Sequence, residues 1–364
     1  MKIYNISNIV FSGKIIDSHM HVGNWYGSKY QYSELDTFIK NPLSNGDTIE
    51  KIIVSNLSAI DKNEMLDELE GNKEILKIAE NNPKIAPLAV CQPKTGSVEN
   101  IKKLFDENPN KFVGLKFHPD GHEIMATSNL FDPYLMFAQE KNLPCLFHCG
   151  IQWENGKLAD EAFRYSEPEK IYQAAKKVPK TPVIMAHLGA GGETVHSKAI
   201  QVLMDSIDKK DANLYADISW VDIDKPNKPT IVNLIKKLKE KNALDRILFG
   251  SDAPIGEFAN GKDGLTGKEF YEKTIVDIKT AIKNNFNDDA DSIIDKIFYQ
   301  NAEKLFFNKE NGQTEIKSNP KTKKVLAITF CGLAIVGAIF ALCTKNSNST
   351  KDIEQHESQK VIIA

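Results

Sequence analysis

The stretch Ile15-Ile16-Asp17-Ser18-His19-Met20-His21-Val22-Gly23 decides the fold. Two isoleucines open a short apolar run, and the run closes on a His-x-His pair before a glycine. On a β-strand residues i and i+2 point to the same face, so His19 and His21 can reach one point. An open doubly wound sheet usually carries a glycine-rich phosphate turn after its first strand. No G-x-G-x-x-G or P-loop pattern follows here; the strand ends in imidazoles instead.

Working outward, seven further apolar, β-branched runs follow: Lys51–Leu57, Ile85–Cys91, Phe112–His118, Pro144–Cys149, Pro182–His187, Leu214–Ser219 and Arg246–Gly250. Each is short and close to continuously apolar, as a strand buried on both faces should be. Amphipathic stretches lie between them, among them Glu64–Asn81, Val98–Glu107, Asp132–Lys141, Pro168–Lys176, Ser197–Lys209 and Pro229–Lys241. Pro, Gly or Asn punctuates many of the ends. Eight strands alternating with helices, without a break in composition, predict an α/β fold of the (β/α)8 TIM-barrel type over residues 1–308. The 364-residue length suits one such barrel of roughly 250 residues with additions.

The formal net charge of −3 gives no global basic balance for nucleic acid. Five cysteines without a Cys-x-x-Cys pair argue against a disulfide framework or a zinc ribbon and read as small buried hydrophobes. The N-terminus lacks the cationic region and clean apolar run of a signal peptide. Residues 309–324 are polar and read as a linker. Residues 325–344, VLAITFCGLAIVGAIFALCT, form an uncharged run that as a helix would be about 30 Å long, the thickness of a bilayer core. The expectation is therefore a transmembrane helix at 325–344, then a disordered tail over 345–364. Lysines are denser before the run than after it, so the positive-inside rule makes this a single-pass C-terminal anchor with the barrel facing the cytoplasm.

The histidines carry the chemistry. His19 and His21 close strand one, His118 strand four, His148 strand five and His187 strand six. Asp252 follows strand eight in Phe249-Gly250-Ser251-Asp252-Ala253-Pro254. Five of the chain's eight histidines thus fall at C-terminal strand ends, where barrel active sites are built. Imidazole nitrogens suit zinc and similar divalent ions, and a carboxylate can complete the shell. Asp252 also suits the part of a base that takes a proton from an activated water. His118, standing before Pro119, reads equally well as a turn residue.

The segments IIDSHMHVG, GLKFHP, LFHCG, MAHLGAGG, LFGSDAP and YQNAEKLF, in this order from Ile15 to Phe307, resemble the amidohydrolase-2 family. That family includes aminocarboxymuconate-semialdehyde decarboxylase and related enzymes. The resemblance implies His19, His21, His148 and Asp252 as metal ligands, with Asp252 as ligand or base. It implies His187 as an acid/base residue beside the metal, or as a ligand in two-metal relatives. Lys116 falls where two-metal relatives carry a carboxylated bridging lysine; the default here is one divalent ion, zinc first, with manganese or a second ion as alternatives. A TatD-like deoxyribonuclease would be expected to show Gly-Glu-x-Gly-Leu-Asp on strand four, whereas this chain has Gly114-Leu115-Lys116-Phe117-His118.

The expected function is a metal-dependent hydrolase that cleaves a C–N or C–O bond of a small molecule. A non-oxidative decarboxylase of the same family is the alternative within the class. A catalytically inactive, membrane-tethered binding protein is the alternative outside it, and its mark, a lost ligand, is missing. On the substrate side stand Lys116, His118, Trp153 and Arg164, with Gln152 and Tyr165 nearby. Arg246 opens strand eight at the wrong end of the barrel. The expected partners are a small-molecule substrate and a membrane, with no nucleic acid and with a homodimer left open.

Overall fold

The structure is a computed structural model. It describes residues 13–25, 27–40, 42–60, 66–150, 153–154, 157–158 and 165–308. Eight parallel strands follow one another: β1 (Lys14–Trp25), β2 (Thr48–Asn56), β3 (Ile85–Val90), β4 (Gly114–Phe117), β5 (Cys145–Phe147), β6 (Pro182–Met185), β7 (Asn213–Asp217) and β8 (Ile247–Leu248). Neighbours in sequence are neighbours in the sheet. The last strand's continuation returns to the first: Ser18 N–H donates to Phe249 O at 3.0 Å and His21 N–H to Ala253 O at 2.9 Å. These bonds join the two ends of the sheet. The expected run of eight strands is present, each within a few residues of its predicted bounds.

A helix follows each strand: α1 (Tyr32–Ile39), α2 (Glu68–Glu80), α3 (Val98–Glu107), α4 (Asp132–Lys141), α5 (Pro168–Lys176), α6 (Glu193–Lys209), α7 (Pro229–Glu240) and α8 (Gly267–Phe286). Their starts are written locally. Asp67 accepts from the amides of Leu69 and Glu70 before α2, and Ser97 from Asn100 before α3. Thr266 and Glu269 form a reciprocal capping box before α8. Each such cap contributes about 1 kcal/mol.

The strands bury both faces, and the two faces belong to separate clusters. Leu115, Phe117, Cys145, Phe147, Val183 and Met185 pack outward against the helices. Ile16, Ile53, Leu146, Ile184 and Leu248 point inward, where Ala302 and Phe306 of helical residues 290–307 join them. Alternation along β4 therefore sends Lys116 inward, between the outward-facing Leu115 and Phe117.

β1 carries an irregularity that matters for the site. Its register with β2 runs Asp17↔Ile52 and then Met20↔Val54, so three residues of β1 span two of β2. The extra residue is a β-bulge, which re-aims the side chains beyond it. Ile16 faces inward before the bulge, and Met20 and Val22 face outward after it. His19 and His21 are thereby turned inward. Asp17 laces the bulge in place: one carboxylate oxygen accepts from Ser251 N–H at 3.0 Å and His19 N–H at 3.2 Å, the other from Tyr271 Oη at 3.1 Å. Burial pushes the Asp17 carboxyl up to about 7.

The expected fold, a barrel followed by a transmembrane helix, requires correction. Among the described residues no helix is long and apolar enough to cross a membrane. The stretch 325–344, on which that expectation fell, lies outside the described residues, as do the linker 309–324 and the tail 345–364. A single-pass anchored localisation with a cytoplasm-facing barrel has no support in the fold and is withdrawn with it.

Candidate metal centre

The ends of β1 and the loop after β8 meet at one point. His19 Nε2 and His21 Nε2 stand 3.0 Å apart. Asp252 Oδ1 lies 3.0 Å from His21 Nε2 and 3.3 Å from His19 Nε2. All three side chains are buried. Two donors each about 2.05 Å from one ion, at angles between octahedral and tetrahedral, stand about 2.9–3.4 Å from each other. The three separations fall in that interval, so these donors fit a single divalent cation.

The backs of the two rings are held by oxygen atoms. Asp217 Oδ2, at the end of β7, lies 3.1 Å from His19 Nδ1. Ser55 Oγ, near the end of β2, lies 2.9 Å from His21 Nδ1. Asp217 is an acceptor, so His19 carries its proton on Nδ1 and turns the lone pair of Nε2 to the centre. Such outer partners fix tautomer and ring orientation in metal sites. Asp252 is held the same way: its N–H donates to His19 O at 2.7 Å, and its Oδ2 accepts from Trp220 Nε1–H at 2.7 Å. Asp252, Trp220 and His187 all adopt left-handed backbone, at φ 67, 60 and 61°. Non-glycine residues in that region concentrate at functional sites, where the surroundings impose them.

The remaining imidazoles stand beside this group. His187 Nδ1 lies 2.7 Å from Ser219 Oγ, and the Ser219 hydroxyl donates to Asp217 Oδ1. Ser219 must then accept from His187 Nδ1–H, which leaves the His187 Nε2 lone pair facing His148 Nδ1, 3.3 Å away. His148 stacks on His118 with centroids 4.1 Å apart and an interplanar angle of 8°. Lys116 Nζ lies 2.8 Å from His19 Nε2.

Burial sets the protonation of the whole group. It lowers His19 and His21, holds His118 and His148 well below the ordinary value, and brings His187 down to about 4. Burial likewise brings Lys116 down to about 8. Burial alone would raise Asp252 and Asp217; the surrounding imidazoles outweigh it and hold both well below the usual carboxylate range. Neutral imidazoles and ionised carboxylates are the forms a cation requires.

The centre opens into a cavity of about 720 Å³, with Trp25, His118 and Trp220 on its walls. That volume accommodates a small organic molecule.

The chain matches the amidohydrolase-2 family model over residues 16–307. It belongs to the amidohydrolase family. It is an enzyme, a metal-dependent hydrolase or a decarboxylase of that family.

Similar solved structures include a probable 2-pyrone-4,6-dicarboxylic acid hydrolase from Acinetobacter baumannii, 15% identical, with TM-score 0.53, covering 80% of this chain and 98% of that one. A 2,6-dihydroxybenzoate decarboxylase from Rhizobium is 16% identical, with TM-score 0.53, covering 81% and 98%. A 5-carboxyvanillate decarboxylase from Novosphingobium aromaticivorans, in complex with manganese, is 11% identical, with TM-score 0.52, covering 83% and 99%. At these identities the likeness shows the shared fold. No match to a curated protein is found.

Of the residues that the sequence reading put in this amidohydrolase's site, His19, His21 and Asp252 form one donor group. His148 stands beside His187, outside that group. Lys116 and His118 line the cavity. Trp153 is described only as the first residue of a two-residue strand, and Arg164 lies outside the described residues. Arg246 bonds Asn213 and Leu214 O at the start of β7, the other end of the barrel. Sequence reading missed Ser55, Asp217, Ser219 and Trp220. A signal existed for two of them: Asp217 and Ser219 stand i and i+2 at the end of an apolar run, the spacing that drew attention to His19 and His21.

Proposed function

We propose that this enzyme hydrolyses a C–N or C–O bond of a small molecule at a mononuclear centre held by His19, His21 and Asp252. Zinc is the first choice of ion and manganese the second, since two imidazoles and a carboxylate accept either. The observation that carries the reading is the convergence of His19 Nε2, His21 Nε2 and Asp252 Oδ1 at separations of 3.0–3.3 Å. When bound, the ion supplies Lewis-acid polarisation of the substrate oxygen and lowers the pKa of a water towards 7.

The proton acceptor is His187. Its Nδ1–H is committed to Ser219, so Nε2 presents a lone pair on the cavity side. Its lowered pKa keeps it unprotonated at neutral pH. It takes a proton from the attacking water and returns it to the leaving nitrogen or oxygen. Asp252 is the less suitable base. Oδ1 faces the two imidazoles, Oδ2 is taken by the Trp220 indole, and its proton affinity is low. Asp252 thus acts as ligand and as the anchor of His21.

Lys116 supports decarboxylation as the second reading. Its Nζ lies within the cavity beside His19, where a cation could bind a substrate carboxylate.

Metal analysis and product analysis test both. Protein stripped with chelator and reconstituted should hold one equivalent of Zn²⁺ or Mn²⁺, and the Asp252→Asn variant should hold far less. Wild-type protein that binds under a tenth of an equivalent would sink the centre. A screen of esters, lactones, amides and carboxylated aromatics in which CO₂ is the metal-dependent product would move the assignment to the second reading.

A further inference from the structure

One imidazole on the cavity wall stands outside the stacked imidazoles around the centre. His196 lies on α6, is 9% exposed, and lines the cavity together with Gly191, Gly192 and Glu193. Its placement begins at the end of β6. His187, Leu188 and Gly189 are three successive residues with positive φ, at 61, 45 and 76°. This left-handed turn presents the Leu188 carbonyl to α6, and His196 Nδ1 lies 3.2 Å from that oxygen.

The contact fixes a tautomer. A carbonyl only accepts, so Nδ1 carries the proton and Nε2 carries the lone pair. Burial lowers the His196 pKa and keeps the ring in this neutral form at pH 7. Among the described residues no donor reaches Nε2. The nearby charges are committed elsewhere. Asp222 accepts from the amides of Thr230 and Ile231, and Lys225 pairs with Asp222 at 3.4 Å. His19, His21, His187, His148 and His118 form one chain of ring contacts, 4.1–5.1 Å between centroids, whereas His196 is held by Leu188 O. Without substrate a water can satisfy Nε2. A ligand that displaces this water without returning a donor leaves a buried acceptor unpaired, and sites built around such groups reject analogues that lack the partner.

We propose that His196 is a substrate-recognition residue whose Nε2 accepts a hydrogen bond from an amide, hydroxyl or ammonium group on the part of the substrate remote from the cleaved bond. This rests on the metal-centre reading above. It assigns the substrate to molecules with a hydrogen-bond donor at that second position.

The probes are benzohydroxamic acids, whose hydroxamate chelates a divalent ion. Matched pairs carry a hydroxyl or a methoxy group at the para position, attached directly or through one or two methylenes. Binding to the Mn²⁺-reconstituted full chain is measured by calorimetry for wild type, His196→Phe and His196→Asn. At one spacing the hydroxyl compound should bind about fivefold or more tighter than its methoxy partner, the value of one ordinary hydrogen bond. The preference should vanish in His196→Phe while the affinity for the methoxy compound holds. Should His196→Phe fail to fold, the wild-type preference and its loss in His196→Asn decide the matter. Metal-dependent binding of every pair with no hydroxyl preference, or a preference that survives both substitutions, overturns the assignment. If no hydroxamate binds wild type in a metal-dependent way, the centre itself is wrong and the assignment falls with it.

Discussion

The indole N–H of Trp220 donates to Asp252 Oδ2 at 2.7 Å, and this bond turns the other carboxylate oxygen to the two imidazoles. Trp220 is itself braced. A Cβ on Gly256 would come within 2.9 Å of its ring, so the backbone of the loop after β8 packs against the indole. Trp220→Phe keeps the ring and removes the donor. Loss of such an outer partner typically costs about 10–100-fold in metal affinity. The variant should therefore bind Zn²⁺ or Mn²⁺ at least about tenfold more weakly by chelator competition, with an unchanged melting temperature in the metal-free state. Unchanged metal affinity would show that Asp252 needs no help to face the centre.

Asp217 holds more of the site than any residue the sequence singled out. Oδ2 meets His19 Nδ1; Oδ1 accepts from the amides of His187 and Ser219, both at 3.0 Å, and from the Ser219 hydroxyl. One buried carboxylate thus orients the proposed ligand His19 and the proposed base His187 together. Asp217→Asn can still accept through its amide oxygen, but its NH2 can only donate, which forces either His19 or the β7 turn to rearrange. The expected outcome is a loss of metal affinity of about tenfold or more, together with a lower kcat at saturating metal. A variant restored to full activity by excess metal alone would limit Asp217 to supporting His19.

The strands and the inward imidazoles were legible because both rest on short-range pattern. Apolar runs and strand-end histidines need only the period of the backbone. The bulge at Asp17–Ser18 was not legible. Strict alternation from Ile16 would send His19 outward, and only the extra residue between Asp17 and Met20 corrects this. The His-x-His argument brings the two rings to one point, as they stand in the structure, without the bulge that puts them there. Ser55 and Trp220 were silent for another reason: each acts by a hydrogen bond to a residue 34 or 32 positions away, which no local pattern encodes. The long apolar run near the C-terminus misled in the opposite sense, since its composition was read as a spanning helix without a described element to bear it.

Acid should destabilise the protein through its buried histidines. His122 is brought down by burial to about 4 from an ordinary 6.5, and its Nε2 lies 3.3 Å from Ala59 O. The unfolded chain binds a proton there below pH 6.5, whereas the folded chain does so only below about 4. The neutral ring's contribution is thus complete above pH 6.5 and is lost as the pH falls from 6.5 towards 4. A shift of this size corresponds to about 3 kcal/mol. His122→Gln removes the titrating group. Its stability relative to wild type should rise on going from pH 7 to pH 4.5 in urea titrations of the metal-free protein. A difference independent of pH would contradict the shift.

The barrel's inward cluster extends to the end of the family domain. Phe306 is buried and packs with Ile16, Ile53, Leu146, Ile184 and Leu248, residues from five different strands. Truncating a buried phenylalanine to alanine costs about 3–5 kcal/mol through lost burial and the cavity left behind. Phe306→Ala should lower the denaturation midpoint accordingly. Because the cluster and the donor group do not share residues, metal affinity below the unfolding transition should stay within about a factor of two of wild type, as expected for independent sites. A metal affinity that falls with stability would mean that this end of the barrel and the centre are mechanically coupled. An unchanged midpoint would mean that residues up to 307 are not needed to close the interior.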